Sequence, residues 1–341
     1  MLTFIASVVI FGLLIFFHEL GHFIVAKRLG IGVIEFAIGF GPKAMSRQIG
    51  ETVYSLRVFP LGGFVRLVGE DPEEVEEDGS FQKQPVWRRF AVIVSGPVMN
   101  FILAVLLFSL IYFAFIGVPV YQSTAIGELL PGGRAEQAGL MAGDRITSVA
   151  GEEVGKWLDL VALINAHPDT EIIIEFEREN QLQSITVTPQ RDPQAGIGLI
   201  GIWPQTRMFA VFPSLSLGIT HTVSFLRFIA VSIVKMITGR APADVVGPVG
   251  IIQIVGEVAR TGVVNLLSLA AIISLNLGFL NLLPIPALDG SRLMFLVVEG
   301  IRGRPVDPHK ESFVHFVGFT VLILLMIVIA YRDLVRLNIF F

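Results

Sequence analysis

The stretch His18-Glu19-Leu20-Gly21-His22 sets two imidazoles and a carboxylate within one turn and a half of chain. On a helix, positions i and i+4 share a face, so His18 and His22 can grip one metal ion together. Glu19 sits about 100° round the helix from His18. From there it need not ligate; it can reach a water on the metal and act as general base. In a soluble protein such spacing also arises on ordinary solvated helix faces. Here the residues before it read "MLTFIASVVIFGLLIFF", without a charge. Ionisable side chains inside an apolar run are costly and are functional candidates by default.

A catalytic zinc needs a third protein ligand and an open position. The chain has no cysteine, which excludes disulfides, thiolate nucleophiles and every thiolate metal site. His167 falls in a polar stretch, His221 in an amphipathic one, and His309 and His315 border the last apolar run. Asp289, in "NLLPIPALDGSR", is the better candidate. It is the only carboxylate from Val258 until Glu299. Pro284 and Pro286 break helical hydrogen bonding just before it, and Gly290 permits a turn. A broken helix lining a polar cavity is tolerated at membrane depth.

The elements that must carry these residues are membrane spans. The chain is 53% hydrophobic and 16% charged, with a mean hydropathy of +0.72, and the apolar excess falls in blocks. Four segments are long enough to cross a bilayer: about Leu2 to Ala26, Phe90 to Ile116, Val263 to Leu283 and Phe313 to Ala330. A fifth, Met208 to Thr238, carries Pro213, His221, Arg227 and Lys235 and reads as an amphipathic surface helix or a partly buried one rather than a span. Basic residues cluster between spans one and two, Lys27 and Arg28 first, and again at Arg302, Arg304 and Lys310. The positive-inside rule then puts both loops in the cytoplasm and both termini outside, against a weaker opposing signal from Arg332 and Arg336. His22 and Asp289 fall at similar depth, near the cytoplasmic side. A net charge of −4 offers no basic field for nucleic acid. The first run lacks a basic leader and a cleavage site and reads as a retained span rather than a signal peptide.

Between the first two spans, "GFGPKAMSRQIGETVYSLRVFPLGGFVRL" alternates apolar and polar residues and predicts short β-hairpins. The acidic linker "EDPEEVEEDGS" follows. From Val118 to Arg191 the composition is that of a soluble α+β domain whose last strand is "LQSITVTPQ". The run Ala138-Gly139-Leu140, with Gly143, Asp144 and Ile146, resembles the PDZ domains of membrane and periplasmic proteases. That resemblance implies either a module binding peptides by strand addition, with Ala138, Gly139 and Leu140 as its peptide loop, or a domain that gates access without a ligand. Asn100, in "SGPVMN", reads as an interhelical hydrogen-bonding residue in preference to an active-site one. "GPVGI" at Gly247 to Ile251 reads as a turn entering a helix, and Trp87 as an interfacial anchor.

Taken together, H-E-L-G-H in the first span, L-D-G after a later one, "FGP", "PLGGFVRL", "SGPVMNF" and the inserted PDZ-like stretch resemble the site-2 protease family, in its bacterial RseP-type branch, over nearly the whole chain. The resemblance implies a polytopic α-helical membrane protein with four transmembrane helices, a membrane-associated β-hairpin region and an extracytoplasmic PDZ domain. Its parts would be residues 1–117 (first two spans, hairpins and linker), 118–191 (PDZ domain), 192–262 (connecting and amphipathic helical region) and 263–341 (last two spans). It implies one catalytic Zn2+ on His18, His22 and Asp289, with Glu19 as the catalytic glutamate. It implies substrate handling by Asn276 and Asn281 and membrane-reentrant hairpins near the active site; since a helical substrate must unwind to be cut, the hairpin at Gly63 and Val65 is expected to offer it a strand edge. It further implies a bacterial cytoplasmic membrane location. The substrates would be single-pass membrane proteins already cut by another protease, such as an anti-sigma factor, or remnant signal peptides. Relatives of this type that carry two tandem PDZ domains differ from this chain, which has room for one. Two other classes fit less well. A non-catalytic PDZ scaffold would not need Glu19, and a metal transporter would show inverted repeats.

Overall fold

The uncharged run that opens the chain forms a single helix, α1 (Leu2–Arg28), about 40 Å long. Lys27 and Arg28 close its last turn, where cations suit the negative end of the helix dipole. The structure is a computed structural model that describes residues 1–70, 79–242 and 246–336, excluding the side chains of residues 60, 61, 308 and 309. Most of the acidic linker, residues 71–78, and the side chain of His309 therefore lie outside the described residues. The chain forms two compact units, Met1–Ile111 with Leu215–Phe341, and Tyr112–Ser214.

In the first unit, β1 (Val33–Ile49) and β2 (Thr52–Leu67) follow α1 and pair antiparallel. The expected short hairpins are two long strands, each bent in the middle. Glu35 faces both Arg66 and Val53, and Ala37 both Phe64 and Ser55, so the first half of β1 lies between the two halves of β2. The bends sit at Gly39 and Gly62, at φ +90° and +108°, conformations in which only glycine is unstrained. Next comes α2 (Val86–Ile111), continued by a π-helical turn at Tyr112–Ile116. After the second unit come α5 (Val211–Ile237), α6 (Pro248–Val258), α7 (Val263–Leu282), α8 (Asp289–Arg302) and α9 (Pro308–Arg336).

Two apolar clusters frame the site. Ala6, Ile10 and Leu14 of α1 pack with Leu107 and Phe108 of α2, Val255 of α6 and Ala271 of α7. At the other end, Ala26 packs with Val92 and Ile93 of α2 and Leu293 and Leu296 of α8. So α2 runs antiparallel to α1, while α7 runs in α1's direction and delivers Asp289 to the end that holds His22. The residue before Pro284 is extended, φ −70° and ψ 145°, as a pre-proline residue must be, and α7 stops there.

Four spans were expected; five helices among the described residues are long and apolar enough to cross a membrane. The addition is α5, continuous over 27 residues. It meets α2 at one place. A Cβ on Gly218 would lie 2.2 Å from Ser109 Oγ, and the rings of His221 and Phe225 both stack on Phe108, at 4.8 and 5.8 Å. Leu226 and Ile229 of α5 pack against the same apolar cluster. The "GPVGI" stretch is the start of α6. Gly247 has no side chain to cap it, and Asp333 of α9 supplies the cap instead: Gly250 N–H donates to its Oδ2 at 2.8 Å and Gly247 N–H to its Oδ1 at 3.3 Å.

The second unit contains β3 (Val118–Pro119), β4 (Ile126–Leu129), α3 (Arg134–Gln137), β5 (Arg145–Val149), β6 (Glu152–Glu153) and α4 (Trp157–Asn165). It continues with β7 (Ile172–Arg178), β8 (Gln181–Val187), β9 (Gln190–Arg191), β10 (Gly198–Leu199), β11 (Ile202–Pro204) and β12 (Thr206–Arg207). The central sheet runs β6-β5-β7-β8. In β7, Ile172, Ile174 and Phe176 are buried while Ile173 and Glu175 face out, the period of two of a half-buried strand. The unit is longer than the expected 118–191. Beyond Arg191, Ile200 joins the same core and β11 pairs with β4. An uncovered β4 would be an open sheet edge, and the returning strand closes it.

Candidate functional site

His18 and His22 project from one face of α1, as the i, i+4 spacing requires, and the turn after α7 brings Asp289 to them. His18 Nε2 and His22 Nε2 are 3.3 Å apart. Asp289 Oδ2 lies 3.1 Å from the first and 3.6 Å from the second. A tetrahedral metal with bonds of about 2.0–2.1 Å separates its ligand atoms by about 3.3 Å, so these three edges fit one zinc-sized ion. Asp289 Oδ2 is buried and has no hydrogen bond among the described residues, an atom left over for such an ion. No other group of three or more metal-ligating side chains gathers like this among the described residues.

The outer contacts fit the same ion. His22 Nδ1 donates to the Val92 carbonyl of α2 at 2.8 Å, which leaves its Nε2 lone pair for metal. Asn100 Nδ2 lies 3.2 Å from His18 Nδ1. An imidazole that ligates through Nε2 carries its proton on Nδ1, and only the amide oxygen can accept it. Asn100 is fully buried and its Oδ1 has no partner among the described residues, so turning the amide over about Cγ brings that oxygen to the proton. The packing role favoured from sequence falls instead to its backbone, whose carbonyl accepts from Ser274 Oγ of α7. Gly96 is a further residue that sequence reading passed over. A Cβ there would stand 2.3 Å from His22 Nε2 and 2.9 Å from His18 Cε1. Its signal was present, since Gly96 and Asn100 are four apart on α2 and so face one way.

Glu19 lines the same cavity, of about 160 Å³, together with the three metal-facing residues and Phe64, Val65, Glu70 and Arg292. The backbone N–H of Val65 bonds to Glu19, and a Cβ on Gly63 would stand 3.3 Å from Glu19 Cγ. The bent second half of β2 therefore lies directly on the glutamate. Part of the cavity wall is polar, where Arg292 of α8 donates to Glu70 at 2.7 Å. Neither Asn276, which is exposed, nor the buried Asn281 lines the cavity.

In the second unit the expected peptide loop is a structural turn. Leu140 is in the core. Arg178 clasps the turn by donating to the Gly139 carbonyl at 2.8 Å and to both oxygens of Asp144 at 2.7 Å. A cavity of about 510 Å³ lies between α4, at Val161 and Ile164, and the run Leu199 to Trp203. Ala138, Gly139 and Leu140 do not line it.

Two imidazoles and a carboxylate around one ion-sized space, with a second carboxylate beside it, set between apolar helices, define a membrane-embedded metallohydrolase. Comparison with known proteins makes the class specific. The family model "Peptidase family M50" matches residues 6–325. The "Regulator of sigma-W protease RasP" of Bacillus subtilis (strain 168) is 37% identical, covering 98% of this chain and 99% of its own. The "Putative zinc metalloprotease CA_C1796" of Clostridium acetobutylicum is 34% identical, covering 97% of each. Among solved structures, the PDZ domain of the SdrC-like protein (Lmo2051) from Listeria monocytogenes matches 24% of this chain and 87% of its own, at 19% identity and a TM-score of 0.22. The chain belongs to peptidase family M50, the site-2 proteases, and is a zinc metalloprotease with several membrane helices.

Proposed function

We propose that His18, His22 and Asp289 hold one zinc ion and that Glu19 is the general base for hydrolysis of a peptide bond inside the membrane. The observation that carries this is the triangle of ligand atoms, 3.1, 3.3 and 3.6 Å on its edges, with Glu19 in the same small cavity. Bound zinc supplies a Lewis acid and makes water acidic enough to react near neutral pH. Glu19 takes the proton of the attacking water and returns it to the leaving amine. Val65 N–H fixes the glutamate, the Val92 carbonyl fixes the His22 ring, and Asn100 fixes that of His18. In purified protein, Asp289→Asn should lose both zinc and cleavage. Glu19→Gln should keep zinc and lose cleavage by on the order of 10²–10⁴-fold. A Glu19→Gln protein that still cut would refute the assignment.

A helical substrate satisfies its own backbone, so its peptide bonds are protected until it unwinds. Gly63 and Val65 lie on the half of β2 that faces Glu19, which supports a role for this strand in holding the opened substrate. Asn276 and Asn281 are candidates for gripping it before it reaches the cavity. Val65→Pro removes the N–H that Glu19 uses and should lower turnover with zinc retained. The substrate class that fits is a single-pass membrane segment already shortened by another protease, a regulator of a sigma factor or a remnant signal peptide. Comparing membrane proteomes with active and Glu19→Gln enzyme tests it.

Four crossings account for the chain better than five. With α1 and α7 in one direction, an odd number of crossings separates them. Crossings by both α2 and α5 would need a third, and α6, at 11 residues or about 17 Å, is too short. So α5 lies across the outer end. Both termini and the PDZ domain are then extracytoplasmic, and the site lies toward the side of Lys27 and Arg28. The domain division is residues 1–117, a PDZ domain widened from 118–191 to include the strands up to Arg207, the helical connection through 262, and 263–341. The α4 groove is where a peptide would add as a strand.

A further inference from the structure

The turn that carries Asp289 is not held by its own helix. Pro284 and Pro286 stop α7, and only short local bonds follow, Ile285 N–H to the Leu283 carbonyl at 2.7 Å and Leu288 N–H to that of Ile285 at 3.1 Å. Ala287, two residues before the carboxylate, sits at φ +74°, a left-handed conformation that L-residues with a Cβ avoid. Such a conformation persists only where the surroundings impose it.

What surrounds it is α9. Ala287 N–H donates to His315 Nδ1 at 3.2 Å. Ser291 Oγ, 3.5 Å from the same nitrogen, donates to the Leu288 carbonyl at 2.8 Å. Three residues on, Gly318 lets α9 close on the turn, since a Cβ there would stand 2.0 Å from Pro286 Cβ. His315 and Gly318 share a helix face, and that face is spent on this contact. None of the eighteen most apolar residues of α9 is buried among the described residues. His315 also has no place in the metal-facing group, which is His18, His22 and Asp289.

We propose that His315 is a positioning residue: through Ala287 it holds the Pro284–Leu288 turn in the conformation that aims Asp289 at His18 and His22, with Gly318 as the seat that brings α9 close enough. The proposal rests on Asp289 being a metal ligand. It assigns α9 a task at the metal centre as well as a passage through the bilayer.

The test is metal binding by the purified full-length chain. Zinc affinity is measured by competition with a chelator, and the coordination geometry by the visible spectrum of the Co2+ form. His315→Leu should weaken zinc binding about 10–100-fold, the range seen when an outer-shell partner is lost, and should shift the Co2+ spectrum away from that of the parent. His315→Asn puts an amide oxygen near the place of Nδ1 and should restore both readings to within a few-fold of the parent. Gly318→Leu, which leaves the hydrogen bond's chemistry intact but pushes α9 off, should repeat the His315→Leu result. Parent-like zinc affinity and spectrum in His315→Leu, alongside loss in Asp289→Asn, would overturn the proposal and leave the ligand assignment standing. Equal weakening in His315→Asn and His315→Leu would overturn it too. Parent-like binding in Asp289→Asn would instead remove the ligand assignment itself.

Discussion

At the scale of single residues, the site divides by sequence distance. His18, Glu19 and His22 were legible because a helix turns five neighbouring residues into one surface, and nothing distant has to be known. Asp289 was legible by scarcity, as the one carboxylate in a long apolar stretch broken by prolines. Asn100 and Gly96 were not, because their importance comes from α2 lying against α1, some eighty residues away in sequence. Both make sharp predictions. Gly96→Ala places a methyl 2.3 Å from His22 Nε2, and both neighbours are backbone-anchored rings. Metal analysis of the purified protein should find zinc lost, with the fold retained by circular dichroism. Asn100→Leu keeps the volume but removes the acceptor for His18 Nδ1. Zinc affinity, measured by chelator competition, should fall about 10–100-fold, and unchanged affinity would return Asn100 to a packing role.

At the scale of elements, the periodicities named the helices and strands better than they named their partners. The alternation from Gly39 to Leu67 identified strands, but the wrapping of β2 around β1 depends on bends at Gly39 and Gly62 that no periodicity reports. The end of the second unit was misjudged for a similar reason. The strand that completes its sheet, Ile202–Pro204, is three residues long, and its partner β4 lies some seventy residues earlier. The "GPVGI" stretch reads alone as a turn entering a helix, but its cap, Asp333 on α9, lies some eighty residues away. Asp333→Ala removes the acceptor for two amides at the start of α6. It should cost on the order of 1 kcal/mol, seen as a lower unfolding midpoint in detergent with cleavage chemistry intact.

At the scale of the whole molecule, the protein is a zinc metalloprotease whose metal-facing residues lie between apolar helices. Length and hydropathy alone cannot decide between four crossings and five, because α5 satisfies both criteria. The shared direction of α1 and α7 favours four. The absence of cysteine makes this checkable with single introduced thiols. Ser216→Cys and Lys235→Cys, at the two ends of α5, should both react with a membrane-impermeant maleimide from outside intact cells. Labelling at Lys235→Cys only after permeabilisation would make α5 a span. The central claim, cleavage within the bilayer by Glu19 and the His18–His22–Asp289 site, is tested most directly by mass-spectrometric mapping of the cut. The zinc-loaded protein is reconstituted in vesicles with a model single-span substrate. The account predicts a cut inside the apolar segment, toward the end that lies level with His22, and none with Glu19→Gln protein carrying one zinc. A cut confined to the flanking polar residues, or one that persists in the zinc-loaded Glu19→Gln protein, would contradict it.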